Sequence, residues 1–153
     1  MHIADIESKK LDYAICFGLD GAILNTSKEA FDSEAQRLAG GDGFDVKVKA
    51  VGLPPTFQNC QDAVAFGGRV SVIGVGKHKI DLDFVILQRK ELNVFGSRNA
   101  LTADFEAQID TIIGQGLNIY GIITNVYPFD EAARAFSEFD KSAGSILKIL
   151  IEF

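Results

Sequence analysis

Two periodicities alternate along the chain. Short runs rich in β-branched residues, such as "RVSVIGVG", are typical of strands, and longer stretches with apolar residues three or four apart are typical of helices. Strands are predicted at residues 1–5, 22–25, 45–52, 69–76 and 91–97, in the extended segment "GIITNVYPF" and in the closing "SILKILIEF". Helices are predicted near 7–17, from 26–29 to about 38, at roughly 54–66, after residue 102 and at 130–140. This alternation predicts an α/β fold with a largely parallel sheet and helices on both faces.

Individual residues mark the ends of several helices. Gly18 is suited to the end of the first helix, and Thr26 with Glu29 has the spacing of a capping box. Pro54 fits a first helical turn, where its missing N–H costs nothing, and Thr102 is a candidate cap. The helix after Thr102 is predicted to carry an apolar face, and so is the helix at 130–140: Phe105, Ile109, Ile112 and Ile113 on the first, and Ala132, Ala133, Phe136 and Phe139 on the second.

Composition narrows the class of protein. The chain has 153 residues, 47% of them hydrophobic and 24% charged, which is ordinary for one folded domain. Its net charge of −6 and scattered basic residues argue against a nucleic-acid or anionic-membrane surface. No apolar run approaches the roughly 18 residues of a membrane span, and the N-terminus lacks a secretion-signal pattern. We therefore expect a cytoplasmic protein.

The sequence predicts no metal centre. Cys16 and Cys60 are far apart and have no CxxC or Cys–His cluster beside them. His2 and His78 are equally isolated. Both cysteines are therefore expected to be small buried hydrophobic residues in a reducing compartment.

Five stretches together carry a family resemblance. They are "ADIESKKLDYAICFG", "GDGFDVKVKAVGLPPTFQNCQDAVAFGGRVSVIGVG", "ELNVFGSRNA", "DFEAQIDTIIGQGLNIYGIITNVYPFDEAARAF" and "SILKILIEF". In this order and spacing they resemble the C-terminal half of a zinc-dependent medium-chain dehydrogenase of the polyol, gulonate or threonine dehydrogenase kind. The resemblance implies that residues 1–153 are a truncated, partial Rossmann-like NAD(P)-binding domain, followed by the helix and strand that return to the catalytic domain in that family.

Two parts of such an enzyme are missing from the sequence. The resemblance places the zinc ligands in an N-terminal domain, and the pyrophosphate on a first strand with a Gly-rich turn and helix. No GxGxxG follows a strand here, and "GGDG" and "GVGK" fit ordinary turns better. We therefore expect the first strand of the sheet, the zinc ion and all catalytic residues to be absent from this chain. NAD binding is expected to be weak or absent.

An acidic residue closes the first predicted strand. By resemblance, Asp5 would accept hydrogen bonds from the adenosine ribose of NAD and disfavour a 2′-phosphate, and Lys10 would lie near the adenine. The alternative is that Asp5 only caps a helix beginning at Ile6 or Glu7.

Further cofactor contacts are expected at strand ends. The resemblance implies that the nicotinamide riboside runs beside the backbones of the later strands, with a serine–arginine pair near the carboxamide: Val51, Gly52, Ile73, Gly74, Val75, Ser97 and Arg98. Gly52, Gly74 and Gly96 could equally be plain turn glycines.

Lys47 and Lys49 depart from the family pattern, because they place two charges in a strand that the family keeps apolar or ends with an acid. They fit a strand with one exposed face. A missing neighbouring strand would leave a gap, which direct pairing of the flanking strands, a second chain or a different fold of the first forty-odd residues could fill. By resemblance, the strand at residues 91–97 would pair across a dimer axis, so a homo-oligomer is expected.

Three functions stay open at this point. The chain could be a cofactor-binding domain without turnover of its own, or an oxidoreductase part completed by a separate zinc-domain chain. It could also be an interaction or structural module that kept the fold and lost the nucleotide.

Overall fold

A computed structural model describes residues 1–142 and 144–153 of the chain. Within them the strands are β1 (His2–Asp5), β2 (Gly21–Leu24), β3 (Phe44–Lys49), β4 (Val64–Val72), β5 (Asn93–Gly96), β6 (Ile123–Pro128) and β7 (Lys148–Glu152). The helices are α1 (Ser8–Ile15), α2 (Lys28–Ala39), α3 (Pro54–Ala63), α4 (Phe84–Arg89), α5 (Thr102–Gly114) and α6 (Ala132–Lys141). All pairings between these strands are parallel, which confirms the predicted α/β class.

The chain divides into two compact units, which are described separately. Unit 1 comprises Met1–Leu24 and Leu101–Phe153. In it, β1 pairs with β2 through the α1 crossover, and β6 pairs with β7 through the α6 crossover. Its buried side chains include Leu11, Ile23 and Ala135.

Unit 2 comprises Asn25–Ala100 and contains a three-stranded sheet in the order β3-β4-β5. Phe57 and Cys60 of α3 pack on Val64 and Val70 of β4, and Val72, Ile80 and Leu92 flank this cluster. Burial of such apolar side chains is the main favourable term in folding, so this cluster holds α3 against the sheet.

The two faces of β3 are reversed relative to expectation. Lys49 is only 2% exposed and Lys47 is half-buried, whereas Val46 and Val48 are 50% and 58% exposed. The lysines therefore lie on the covered face, and the expectation that they occupy an exposed face is wrong. Each ammonium group has found a local partner that offsets part of its desolvation.

The ammonium group of Lys47 contacts two aromatic rings. Its Nζ lies 4.9 Å from the centre of the Phe31 ring and 4.6 Å from that of Phe44. A cation over an aromatic face is attracted by the ring quadrupole, more strongly where water is excluded. Burial lowers the pKa of Lys47 and raises the pKa of the neighbouring Cys60 thiol.

A third lysine, Lys90, binds the C-terminal end of α3 through its side chain. The Nζ of Lys90 donates to the carbonyl oxygens of Gln61, Asp62 and Val64, at 3.1, 2.7 and 2.8 Å. These bonds satisfy carbonyls that the end of a helix leaves without partners, and a cation is favoured there. The helix predicted at 54–66 is three residues shorter because β4 already begins at Val64.

Three local predictions need correction. The α2 cap is Ser27 rather than Thr26, because the Ser27 hydroxyl accepts from the Ala30 N–H at 3.1 Å. Thr102 does not cap α5; instead Asp104 accepts from the Leu101 N–H at 2.7 Å. Cys16 is exposed rather than buried, whereas Cys60 is buried as predicted.

The apolar faces predicted on α5 and α6 exist but are mostly uncovered. Phe105, Ile109 and Ile113 of α5 are exposed, as is Phe136 of α6. A helix of this kind is stabilised chiefly by packing its apolar stripe against other residues. The described residues leave most of the α5 stripe unpacked. None of the helices described is both long and apolar enough to cross a bilayer.

The buried ammonium of Lys47 predicts a pH-dependent stability. The folded pKa is lowered, so between that value and the ordinary lysine value of about 10.4 the unfolded chain binds more protons, and this contribution to stability rises with pH. Lys47→Met removes the term. We compare the free energy of unfolding of Lys47→Met minus that of the wild type at the two pH values. We expect this difference to be larger at pH 7 than at pH 10, by on the order of 1 kcal/mol.

The measurement is urea unfolding of both proteins across pH 7–10. Cys60 contributes with the opposite sign, because its raised pKa lowers stability as pH increases. Since the Lys47 charge lowers the Cys60 pKa, its removal raises that pKa further and changes the difference between the two proteins in the predicted direction. Parallel stability curves for the wild type and Lys47→Met would contradict the prediction.

Candidate functional site

The carboxyl ends of β3, β4 and β5 meet at one edge of the unit 2 sheet. Because the strands are parallel and neighbouring, Lys49 lies opposite Val72, and Val72 opposite Gly96. Open α/β sheets bind ligands at such edges, in the crevice beyond the strand ends. The loops that follow these residues therefore form the candidate site.

Two of these loops are in direct backbone contact. A Cβ added to Gly52 would stand 2.2 Å from the Val75 carbonyl oxygen, and one added to Gly74 would stand 2.4 Å from the Ala50 carbonyl oxygen. No real side chain tolerates such distances. Glycine is therefore required at both positions by the close approach of the backbone, which is a structural role, and the cofactor contacts of Gly52 and Gly74 stay predictions.

Hydrogen bonds fix the loops that follow β4 and β5. The Lys49 carbonyl accepts from the N–H groups of Ile73 and Gly74, at 3.1 and 2.9 Å, and the Ser97 N–H donates to the Val72 carbonyl at 2.9 Å. Main-chain bonds of this kind extend the sheet contacts past the strand ends. The loops consequently have a defined geometry.

A small open cleft of about 290 Å³ lies at this edge. Val72 and Gly96 are two of its lining residues. The other five were predicted as cofactor contacts: Ile73, Gly74, Val75, Ser97 and Arg98. Val51 and Gly52 do not line the cleft, but Gly52 supports it from behind through its contact with Val75. Arg98 is exposed and is the charged residue of the lining.

Asp5 and Lys10 lie in unit 1. Asp5 ends β1, and its Oδ1 accepts from the Glu7 N–H at 2.9 Å, immediately before α1 begins at Ser8. Asp5 therefore closes a turn just before the helix, whereas the residue at the cap position of α1 is Glu7, whose side chain makes no capping bond. Lys10 lies half-buried in the first turn of α1. The ribose and adenine roles of the two residues stay predictions.

Sequence reasoning missed one functional feature of the site. The Nζ of Lys49 donates to the Val51 carbonyl at 2.6 Å, and the Thr56 hydroxyl approaches the same oxygen at 3.3 Å. A lysine in a strand gives no sign of whether its ammonium reaches solvent or folds back on the next turn. The sequence signal was only its departure from an apolar pattern.

No metal centre is found in the part of the chain that the structure describes, since nowhere do three or more His, Cys, Asp or Glu side chains come together to hold an ion. The cleft lining likewise contains none of these residue types. What the cleft offers is backbone, apolar side chains, the Ser97 hydroxyl and the Arg98 guanidinium. Such a surface can orient a flat polar ring through backbone and side-chain hydrogen bonds.

A parallel α/β unit with a glycine-lined cleft at its strand ends has the architecture of a nucleotide-binding domain. The sequence model of the zinc-binding dehydrogenase family matches residues 2–114. The chain belongs to that family, which confirms the resemblance recognised in the sequence.

Relatives and solved structures agree with this assignment. L-threonine 3-dehydrogenase of Yersinia pestis (strain Pestoides F) is 29% identical over 134 residues, which are 88% of this chain and 39% of that protein. The chain thus spans about two fifths of the length of the curated relatives it matches. Among solved structures, zinc-dependent alcohol dehydrogenase 2 from Streptococcus pneumonia, in its apo form, matches with a TM-score of 0.87 and 25% identity, covering 99% of this chain and 44% of that one.

A second solved structure carries a cofactor. An alcohol dehydrogenase from E. coli CFT073, complexed with NADH, matches with a TM-score of 0.85 and 23% identity, over 99% of this chain and 44% of that one. At this level of identity the likeness concerns the fold.

The close approach at Gly74 yields a prediction about stability. Gly74→Ala places a methyl group against the main chain of residues 50–51, which cannot give way like a flexible side chain, so we expect a loss of about 2 kcal/mol or more. Gly114→Ala is the matched control, because its Cβ meets nothing within 4 Å at the end of α5. Thermal and urea unfolding measure both. Equal stability of the two variants would contradict the contact.

Proposed function

We propose that the chain is the cofactor-binding part of an NAD-dependent oxidoreductase, and that the strand-end cleft of unit 2 holds the nicotinamide end of NAD. The observation that carries this proposal is the pair of loops at residues 50–52 and 73–76, pressed together at Gly52 and Gly74. Membership of the zinc-binding dehydrogenase family, and a fold shared with dehydrogenases, support NAD as the ligand at this contact.

The size of the cleft supports one half of a dinucleotide rather than the whole. Ligand pockets usually enclose roughly 300–1,000 Å³, and this cleft of about 290 Å³ is at the lower limit. The backbone of residues 73–75 would lie along the ring, while Ser97 and Arg98 would bind its polar edge. When bound, NAD supplies hydride transfer, and the protein supplies position.

Asp5 carries a separate proposal in unit 1. Its carboxylate closes β1 and engages Glu7 N–H through Oδ1. A carboxylate at the end of such a strand suits the hydroxyls of an adenosine ribose and repels a 2′-phosphate, with Lys10 near the adenine. NAD would then be preferred over NADP.

Turnover by this chain alone is not part of the proposal. Oxidation of an alcohol needs a group that takes the hydroxyl proton, either a metal-bound site or a general base. The residues that line the cleft offer no such side chain. A catalytic centre would have to be supplied by residues outside the cleft, on this chain or on a partner. We propose a cytoplasmic location, since the two cysteines are both free, which fits a reducing compartment.

Titration with NADH tests the function. We expect saturable binding of NADH to the purified chain, weaker binding of NADPH, and a loss of about tenfold in NADH affinity on Arg98→Ala, the size of one charge-assisted hydrogen bond. Arg89→Ala is the control, because Arg89 is exposed on α4 and does not line the cleft. Fluorescence and calorimetry measure the affinities. Absence of NADH binding up to millimolar concentration would instead favour an interaction module.

We also propose a homodimer through residues 91–97. β5 is the edge of the sheet, all four of its residues are exposed, and Val94 and Phe95 are apolar. An uncovered edge strand with apolar side chains is a template for pairing with another strand. A second copy of β5 would satisfy its backbone and cover these side chains.

Light scattering after size exclusion tests the dimer. We expect a dimer for the wild type at micromolar concentration and a shift toward monomer for Phe95→Glu, which places a charge in the interface. Phe84→Glu, at an exposed position on α4, is expected to leave the dimer intact. A monomeric wild type, or equal masses for all three proteins, would refute the proposal.

A further inference from the structure

Lys49 bonds to both loops behind the cleft. Its carbonyl oxygen accepts from the N–H groups of Ile73 and Gly74, at 3.1 and 2.9 Å. Its ammonium donates to the Val51 carbonyl at 2.6 Å. A single residue therefore connects the loop at 73–76, which forms one wall of the cleft, to the loop at 50–52 that supports it.

The cost of this arrangement indicates that the contact matters to the site. The Lys49 side chain is 2% exposed, and among the described residues it forms no ion pair with an acid. Taking an ammonium group out of water without a counter-charge costs free energy that one carbonyl repays only in part. An apolar side chain would be cheaper for packing alone.

The position of the Val51 carbonyl gives the bond its role. Val51 precedes Gly52, whose backbone lies against the Val75 carbonyl oxygen with no room for a side chain. A rotation of the peptide after Val51 would move Gly52 and so shift Val75, which lines the cleft. A charge-assisted bond at 2.6 Å opposes that rotation more strongly than a neutral bond would.

We propose that Lys49 is a positioning residue for the nicotinamide end of the cofactor: its buried ammonium, bonded to the Val51 carbonyl, holds the loop at 50–52 so that the loop at 73–76 keeps its place at the cleft. Lys49 itself does not touch the ligand. This inference rests on the proposed function, and it adds a specific residue that the cleft lining does not include.

Lys49→Met is the test, because the methionine side chain occupies the space of the buried aliphatic part of lysine and lacks the ammonium group. We expect NADH affinity to fall about tenfold, which corresponds to about 1.4 kcal/mol, while affinity for ADP-ribose, which lacks the nicotinamide, stays within twofold. The melting temperature is expected to stay the same or rise, since a buried charge is lost. Lys47→Met is the matched control: it removes a lysine from the same face whose ammonium contacts rings instead of a carbonyl.

Equal loss of NADH and ADP-ribose affinity in Lys49→Met, or no loss of either, would overturn the positioning role. Amide hydrogen exchange provides a readout that does not depend on the cofactor. We expect faster exchange at Ile73 and Gly74 in the variant, with Ser97, which bonds to Val72 instead, unchanged. If the wild type binds no NADH, the proposed function fails, and the exchange data alone decide whether Lys49 holds the loops; unchanged protection would refute it.

Discussion

Backbone-to-backbone packing at one edge of the unit 2 sheet is the constraint on which the candidate site depends. The turn after β3 and the loop after β4 approach so closely that Gly52 and Gly74 have no room for a single methyl group. Everything at the cleft follows from this approach, because Ile73, Gly74 and Val75 line it only while that loop stays in place. The buried core of Phe57, Cys60, Val64 and Val70 supplies the rigid support beneath.

The order and type of the elements could be predicted because they depend on local patterns. The β-branched run in β4, the proline at the start of α3 and the glycine after α1 act through their own backbone preferences. Predictions of burial were less accurate, because burial depends on residues that are distant in the sequence. The apolar stripe of α5 gives the correct helix, but its spacing could not reveal that Phe105 and Ile113 lie uncovered.

The candidate site shows the same division. The strand ends near Gly52 and Gly74 were recognisable, since parallel strands place their carboxyl ends together, whereas Ser97 and Arg98 were expected from the family resemblance; five of the predicted residues line the cleft. Lys49 could not be assigned, because the partner of its ammonium is a carbonyl two residues away whose direction depends on the turn. Asp5 kept two interpretations for a similar reason: one carboxylate can cap a turn and bind a ligand with its different oxygens.

The reversed faces of β3 carry a consequence for folding. Sliding β3 by one residue along β4 would bury Val46 and Val48 and release both lysines into water, so side-chain hydrophobicity by itself prefers the wrong alignment. What opposes the slip is the fit beyond the strand, where displaced main chain would collide with Val75 and forfeit the bonds to the Lys49 carbonyl. The alignment of β3 on β4 is therefore held by main-chain packing at Gly52 and Gly74 and by the bonds to the Lys49 carbonyl, and not by burial of the valines.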